Sequence, residues 1–118
     1  LPGQQIMSAA DAFNDISLAE LKAGLANGSI LLVDVREAEE FAAGHIHGAL
    51  FNPLSAFDPA KLPVAGAGQR VIIHCRSGRR SVTAMEQARA AGRVDVNTHF
   101  AGGMLAWLDA GEPVDMGM

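Results

Sequence analysis

Two short apolar runs do most to limit the folds open to this chain: Ile30–Val33 in "SILLVDVR" and Val71–Ile73 in "RVIIHC". A strand with one wet face alternates apolar and polar residues. An uninterrupted run suits a strand covered on both faces, as in a parallel sheet. Helical patterns separate such runs. "ISLAELKAGLANG" predicts a helix with Ser17 as N-cap and Glu20 completing a capping box. Ile16 and Leu21 can staple its start, and Asn27-Gly28 stops it. "EAEEFAAG" predicts a short helix with acids in its first turn, ending at Gly44, and Ala49–Asn52 a short strand stopped by Pro53. The stretch "LSAFDPAKLPVAGAGQ" reads as a loop with one helical turn, and the strand of "RVIIHC" runs from Val71 to Cys75. After Gly78, Val82, Met85 and Ala88 recur at helical spacing, while Arg80, Thr83 and Gln87 mark another face; this helix should end near Gly92. "VDVNTHF" predicts a strand and "GGMLAWLDAG" a last helix closing at Gly111, with Pro113 beyond. Strands alternating with helices predict an α/β domain with a mainly parallel sheet and helices on both faces. Ligands of such sheets bind beyond the carboxyl ends of the strands, and Cys75 stands at one of those ends.

A length of 118 residues fits one domain. Nearly half of them (49%) are hydrophobic but only 5% aromatic, with no tyrosine, so alanine, valine and leucine do most of the packing. A net charge of -4 argues against general nucleic-acid binding. The single cysteine excludes an internal disulfide framework and a multi-cysteine zinc site, and suits a reducing, cytoplasmic setting. No run of about 18 apolar residues offers a membrane span. The opening "LPGQQIMSAADAFND" lacks a signal-peptide pattern; residues 1–6 read as a tag remnant ahead of a natural start at Met7.

Positive charge gathers around that cysteine, in "HCRSGRRS". A strand end followed by a tight turn into a helix would let Gly78 take unusual backbone angles. The amides of residues 76 to 80 could then point at the sulfur, as a nest of donors at a helix N-terminus. Such a cradle, with Arg76, Arg79 and Arg80 nearby, favours thiolate over thiol and would hold an anionic sulfur adduct. The plain alternative is a buried, inert cysteine beside solvated arginines.

"CRSGRRS" is similar to the active-site loop of rhodanese-family sulfurtransferases, Cys-Arg-x-Gly-x-Arg or Thr, which Cys75, Arg76, Gly78 and Arg80 match. "LLVDVREAEEFAAGHIHGALFNP" resembles the family's upstream segment at Asp34, Val35, Arg36, Glu40, Phe41, Gly44, His45, Ile46, Gly48, Ala49, Asn52 and Pro53, one hydrophobic residue short before the proline. "FAGGMLAWLDAGEPV" resembles its C-terminal stretch around Gly102, Gly103 and Trp107. The likeness runs from about Ile16 to Val114. It implies a single rhodanese-like domain over 16–114 with a mainly parallel five-stranded sheet, between an N-terminal extension over 1–15 and a tail over 115–118. Arg93 replaces the aromatic or apolar residue the family often has after the glycine, and reads as a packing difference.

The resemblance implies a double displacement. Cys75 takes a sulfane sulfur from thiosulfate or a small persulfide, becomes a persulfide, and passes the sulfur to cyanide or to a thiol, including a protein thiol. No cofactor or metal is expected. Arg76 and Arg80 are the expected anion-orienting residues, with Arg79 secondary, and Ser77, Gly78 and Ser81 line the cradle. Asp34 and Arg36 read as structural, with Arg36 paired to Glu40 at helical spacing. His45 reads as a hydrogen-bonded turn residue, and His45 with His47 as too sparse for a metal. His74 should face away from Cys75. Related phosphatases space Cys and Arg by five residues; here four intervene, a loop better sized for sulfur than for a phosphoryl group. The competing expectation is a persulfide carrier or sensing module with little turnover of small molecules.

Overall fold

The computed structural model of the chain describes residues 13–118, so the start expected at Met7 lies outside the described residues. Strands β1 (Asn14–Asp15), β2 (Ile30–Asp34), β3 (Leu50–Phe51), β4 (Arg70–His74) and β5 (Thr98–Phe100) alternate with helices α1 (Leu18–Asn27), α2 (Ala38–Ala43), α3 (Arg79–Ala90) and α4 (Gly103–Asp109). The five strands form one sheet in the order β1–β5–β4–β2–β3, and every pairing is parallel. β2 and β4 lie at the centre, in register from Ile30–Arg70 to Asp34–His74.

The two-residue period of β2 and β4 divides the core in two. Val33, Val35, Val71, Ile73 and Cys75 pack with Ala84, Met85 and Ala88 of α3. Ile30, Leu32 and Ile72 pack with Leu21 of α1 and with Met104 and Trp107 of α4. Helices thus cover both faces, which is why the central strands carry no polar interruption. Ile72 and Ile73 are each 0% exposed; burying such a side chain contributes about 1.5–3 kcal/mol. The capping box of α1 forms as the sequence predicts: Ser17 Oγ accepts the Glu20 amide at 3.1 Å, and Glu20 accepts the Ser17 amide at 3.2 Å.

The edges of the sheet differ from expectation. The strand predicted over 94–100 is confined to Thr98–Phe100, and Val94–Asp95 form a turn. Arg93 explains this: its guanidinium pairs with Asp95 at 2.9 Å and bonds the Pro63 carbonyl at 2.8 Å, tying the segment to the long loop instead of the sheet. β1 lies within the segment read as an N-terminal extension. It pairs with β5 through Asn14 N to Asn97 O at 2.9 Å and Ile16 N to His99 O at 3.1 Å, with Phe13 buried beside it. The proline-rich loop holds two 3₁₀ turns, Leu54–Ala56 and Pro59–Lys61, where one helical turn is predicted. The segment read as a tail is docked: His45 and Asp115 exchange backbone bonds of 2.9 and 2.8 Å. No helix among the described residues is long and apolar enough to cross a membrane.

Candidate active site

From β2 the chain steps outward to β3, and from β4 it steps the other way to β5. The loops leaving β2 and β4 therefore diverge, opening the crevice where α/β sheets bind ligands. Cys75 is the first residue past β4, and Gly78 precedes the first turn of α3. Gly78 has φ 94°, and a Cβ there would stand 2.9 Å from the Ala101 carbonyl oxygen, so only glycine suits this turn. The loop is also held from behind. The first amides of α4 reach into it, Met104 N to Cys75 O at 2.9 Å and Leu105 N to Arg76 O at 3.1 Å.

The sulfur faces donors. Gly78 N lies 3.2 Å and Ser81 N 3.4 Å from Cys75 Sγ. Of the amides from 76 to 80 expected to point inward, only Gly78 bonds the sulfur; the second donor is one residue beyond that range. The amides of Arg76, Ser77, Arg79 and Arg80 have no hydrogen-bond partner among the described residues. Sγ sits inside the loop against the start of α3, leaving Cys75 only 1% exposed. Ser77 is exposed at the loop tip, while Ser81 is buried, its hydroxyl 3.7 Å from Sγ.

The three arginines have different surroundings. Arg80 grips Glu40 of α2 in a two-pronged pair, Nη1 to Oε1 at 2.6 Å and Nη2 to Oε2 at 2.9 Å. These bonds hold the Glu40 carboxyl down at about 2 and raise the Arg80 guanidinium above its ordinary value. Arg76 and Arg79 are exposed and make no ion pair among the described residues. The pairing of Arg36 with Glu40 expected from helical spacing does not form. Arg36 instead folds back on Asp34, Nε and Nη2 bonding the carboxylate at 3.1 and 2.9 Å, and Nη2 also reaches Gly44 O at 2.7 Å. An arginine two residues after a strand-end aspartate can double back across the turn, whereas Glu40 is pulled away by Arg80. The Asp34–Arg36 pair thereby fastens the end of β2 to the end of α2.

His74 does point away from the sulfur. It is 0% exposed, with Nδ1 3.2 Å from Cys75 O and Nε2 3.5 Å from Asp34 Oδ2. Since a carbonyl only accepts, Nδ1 carries the proton and Nε2 presents a lone pair to a carboxylate. That leaves Nε2 as the one buried side-chain nitrogen or oxygen without a partner among the described residues. Burial lowers the His74 imidazole below its usual range despite the nearby Asp34 charge. His45 and His47 part ways: His45 Nδ1 meets Phe41 O at 2.9 Å, and His47 pairs with Asp115 at 2.6 Å. Beside the loop, Arg36, Glu40, Arg76, Met104, Leu105 and Leu108 border a groove of about 280 Å³.

Sequence reasoning missed two neighbours of the thiol. His99 meets Ser81 Oγ through Nδ1 at 2.7 Å. Its only signal was a polar residue within a predicted strand. Gly103 was read through resemblance alone, yet it lets α4 approach the loop: a Cβ there would stand 2.5 Å from both Cys75 O and Arg76 O.

Comparisons agree with this geometry. Residues 17–110 match the rhodanese-like domain family. An uncharacterised protein of Synechocystis is 45% identical over 85 residues, covering 72% of this chain and 46% of its own length, so the chain spans under half of that relative. The human thiosulfate:glutathione sulfurtransferase is 34% identical over 107 residues, covering 80% of this chain and 92% of that protein. A rhodanese-related protein of Thermoplasma volcanium superposes with a TM-score of 0.69 at 25% identity, covering 87% of this chain and 98% of that one. A cysteine cradled past the central strand, in a chain matched from the start of α1 to the end of α4, places this protein in the rhodanese-like domain family.

Proposed function

We propose that the chain moves a sulfane sulfur through a persulfide on Cys75. The Cys75 thiolate attacks the outer sulfur of thiosulfate. The bond from that sulfur to the sulfonate sulfur breaks, and its electron pair leaves with sulfite. An acceptor nucleophile then attacks the outer sulfur of the persulfide and Cys75 departs as thiolate. The acceptor is cyanide, giving thiocyanate, or a thiol, giving a new persulfide. The route uses no metal or organic cofactor and suits a reducing, cytoplasmic setting.

The observation that carries this reading is the pair of amide donors on Sγ at 3.2 and 3.4 Å. A structural thiol needs no such donors, and they favour the anionic sulfur. The amides of Arg76, Ser77, Arg79 and Arg80 supply further donors for the outer sulfur or the incoming anion. Arg76 and Arg79 offer guanidinium forks suited to an oxyanion, while Arg80 steadies the loop through Glu40. The relative named for thiosulfate and glutathione supports a donor and an acceptor of those classes.

The test is the intact mass before thiosulfate, after it, and after added cyanide. A gain of one sulfur atom, removed by cyanide as thiocyanate and absent in Cys75→Ser, is the expected result. Sulfur transfer retained by Cys75→Ser would overturn the assignment. A gain from glutathione persulfide but not thiosulfate would change the donor and keep the chemistry. Exposed Leu105 and Leu108 beside the loop favour a second reading, a carrier serving a protein thiol. Fast turnover with a protein thiol and poor turnover with small acceptors would select it.

A further inference from the structure

Cys75, Ser81 and His99 form a chain that the sulfur chemistry above leaves unused. Ser81 is fully buried at the start of α3, and His99 on β5 is 6% exposed. Sγ to Ser81 Oγ is 3.7 Å, and Ser81 Oγ to His99 Nδ1 is 2.7 Å. The parallel register sets His99 against Ile73, two residues before Cys75, so the imidazole and the sulfur lie on the same, α3 side of the sheet. Ser81 Oγ also lies 3.1 Å from Gly78 O. Its single proton can thus turn among a carbonyl, an imidazole and a sulfur.

We propose that Ser81 and His99 relay the Cys75 proton. The Sγ–H bond breaks as its proton passes to Ser81 Oγ, and the hydroxyl's own proton passes to His99 Nδ1. One proton leaves the sulfur, one arrives at the imidazole, and nothing is oxidised or reduced. The thiolate then accepts bonds from the Gly78 amide, the Ser81 amide and the Ser81 hydroxyl. When the acceptor removes the outer sulfur, the same relay receives Cys75 as a leaving thiolate. His99 acts through Ser81 and touches neither donor nor acceptor. The inference rests on Cys75 as the sulfur carrier and says how its thiolate is formed.

The surroundings of His99 suit the task. Burial lowers its imidazole below the usual range and so favours the neutral ring; with the ring proton on Nε2, Nδ1 accepts from Ser81 Oγ. The Asp15 carboxylate of β1, which accepts the Ala101 amide at 2.8 Å, acts in the opposite sense and steadies the imidazolium once formed. Across the other edge of β5 the neighbour is the apolar Ile73, and from α3 it is Ser81. His74 is no rival base, since strand alternation turns its ring to the opposite face of the sheet from the sulfur.

Because Cys75 is the only cysteine, alkylation by iodoacetamide followed by intact mass reads its thiolate directly. Ser81→Ala and His99→Gln should each move the midpoint of the alkylation rate against pH upward by about one unit, slowing alkylation near neutral pH about tenfold. The double variant should lose no more than either single one, because the two residues act in series. Unmoved midpoints, or additive shifts, would overturn the relay. A measurement on the unsubstituted protein covers variants that fold poorly. By reciprocity, alkylating Cys75 should move the NMR titration of His99 to lower pH, and an unchanged titration counts against the relay. If the wild type gains no sulfur from thiosulfate or glutathione persulfide, the carrier reading fails, and the alkylation profiles still decide the relay. If it gains sulfur with unmoved profiles, the relay alone fails.

Discussion

Arg80 and its two neighbours show how one residue type divides its work. Spacing alone treats Arg76, Arg79 and Arg80 as one positive patch, with Arg80 marked by resemblance as an anion binder. The structure draws Arg80 to Glu40, so its charge is already compensated there, while Arg76 and Arg79 stay exposed without a carboxylate. Nothing local in the sequence links Glu40 to Arg80, which lie 40 residues apart; only the fold sets α2 beside the loop. The helical spacing of Arg36 and Glu40 pointed to the wrong partner for both. Substitution separates the roles. Arg76→Ala should raise KM for thiosulfate about fivefold, the worth of one exposed charge at contact distance, about 1 kcal/mol, and leave KM for a neutral persulfide donor nearly unchanged. Arg80→Ala should instead cost roughly 1 kcal/mol of stability, because the pair is part-exposed and screened. Steady-state kinetics with the two donors and urea unfolding of both variants check this. A thiosulfate-specific KM effect larger for Arg80→Ala than for Arg76→Ala would return the anion role to Arg80.

The loop from Cys75 to Gly78 is shaped by an element that the sequence reading placed but did not connect to it. α4 was legible in "GGMLAWLDAG", with Gly111 closing it and Pro113 beyond. That its first amides hold the carbonyls of Cys75 and Arg76 was not, because backbone contacts leave no side-chain pattern. Gly103 is where this contact is most exposed to change: φ is 60°, and a Cβ would stand 2.5 Å from two carbonyl oxygens. Gly28 has a comparable φ of 78° with nothing within 4 Å of its would-be Cβ, so it isolates the cost of backbone strain. Gly28→Ala should therefore cost about 1 kcal/mol through strain alone. Gly103→Ala should cost more and slow persulfide formation at least about tenfold, since a loop shift of 1 Å can carry such losses. Thermal unfolding and single-turnover mass spectrometry read the two effects. Equal destabilisation with persulfide formation intact would mean that α4 does not set the loop. The strand edges were illegible for a related reason. Two-residue β1, made of Asn14 and Asp15, has no room for periodicity, and the Arg93–Asp95 pair removes Val94 from a strand that its apolar character suggested.

Across the whole molecule, what was legible follows burial. β2 and β4 are covered on both faces and announce themselves by apolar runs, so the sheet, its parallel sense and the position of Cys75 past a central strand were all readable. The polar groups sealed inside that scaffold were not, and they set how the protein meets acid. His74 and His99 are held neutral by burial, below their usual value of 6.5. An unfolded chain takes up protons at these sites as pH falls through 6.5, while the folded chain resists, so the stability present above that pH is lost below it. Glu40 has the same sign lower down: its unfolded counterpart protonates near 4.5, whereas the Arg80 pair holds the folded group at about 2. Stability should thus be greatest above neutrality and fall in two stages on acidification. In the first stage each histidine removes at most about 1.4 kcal/mol per pH unit. That is appreciable against a total near 5–15 kcal/mol for a domain of this kind. Urea midpoints between about pH 7.5 and pH 5.5 check the first stage, with His74→Gln as the diagnostic variant. Glutamine keeps an N–H for the Cys75 carbonyl but does not titrate, so its midpoint should fall less steeply with acid than the wild type, whatever its absolute stability. A wild-type midpoint flat across that range would mean that the folded protein accepts protons at both histidines as readily as the unfolded chain. The lone pair of His74 Nε2 would then not be sealed against Asp34 as the fold places it.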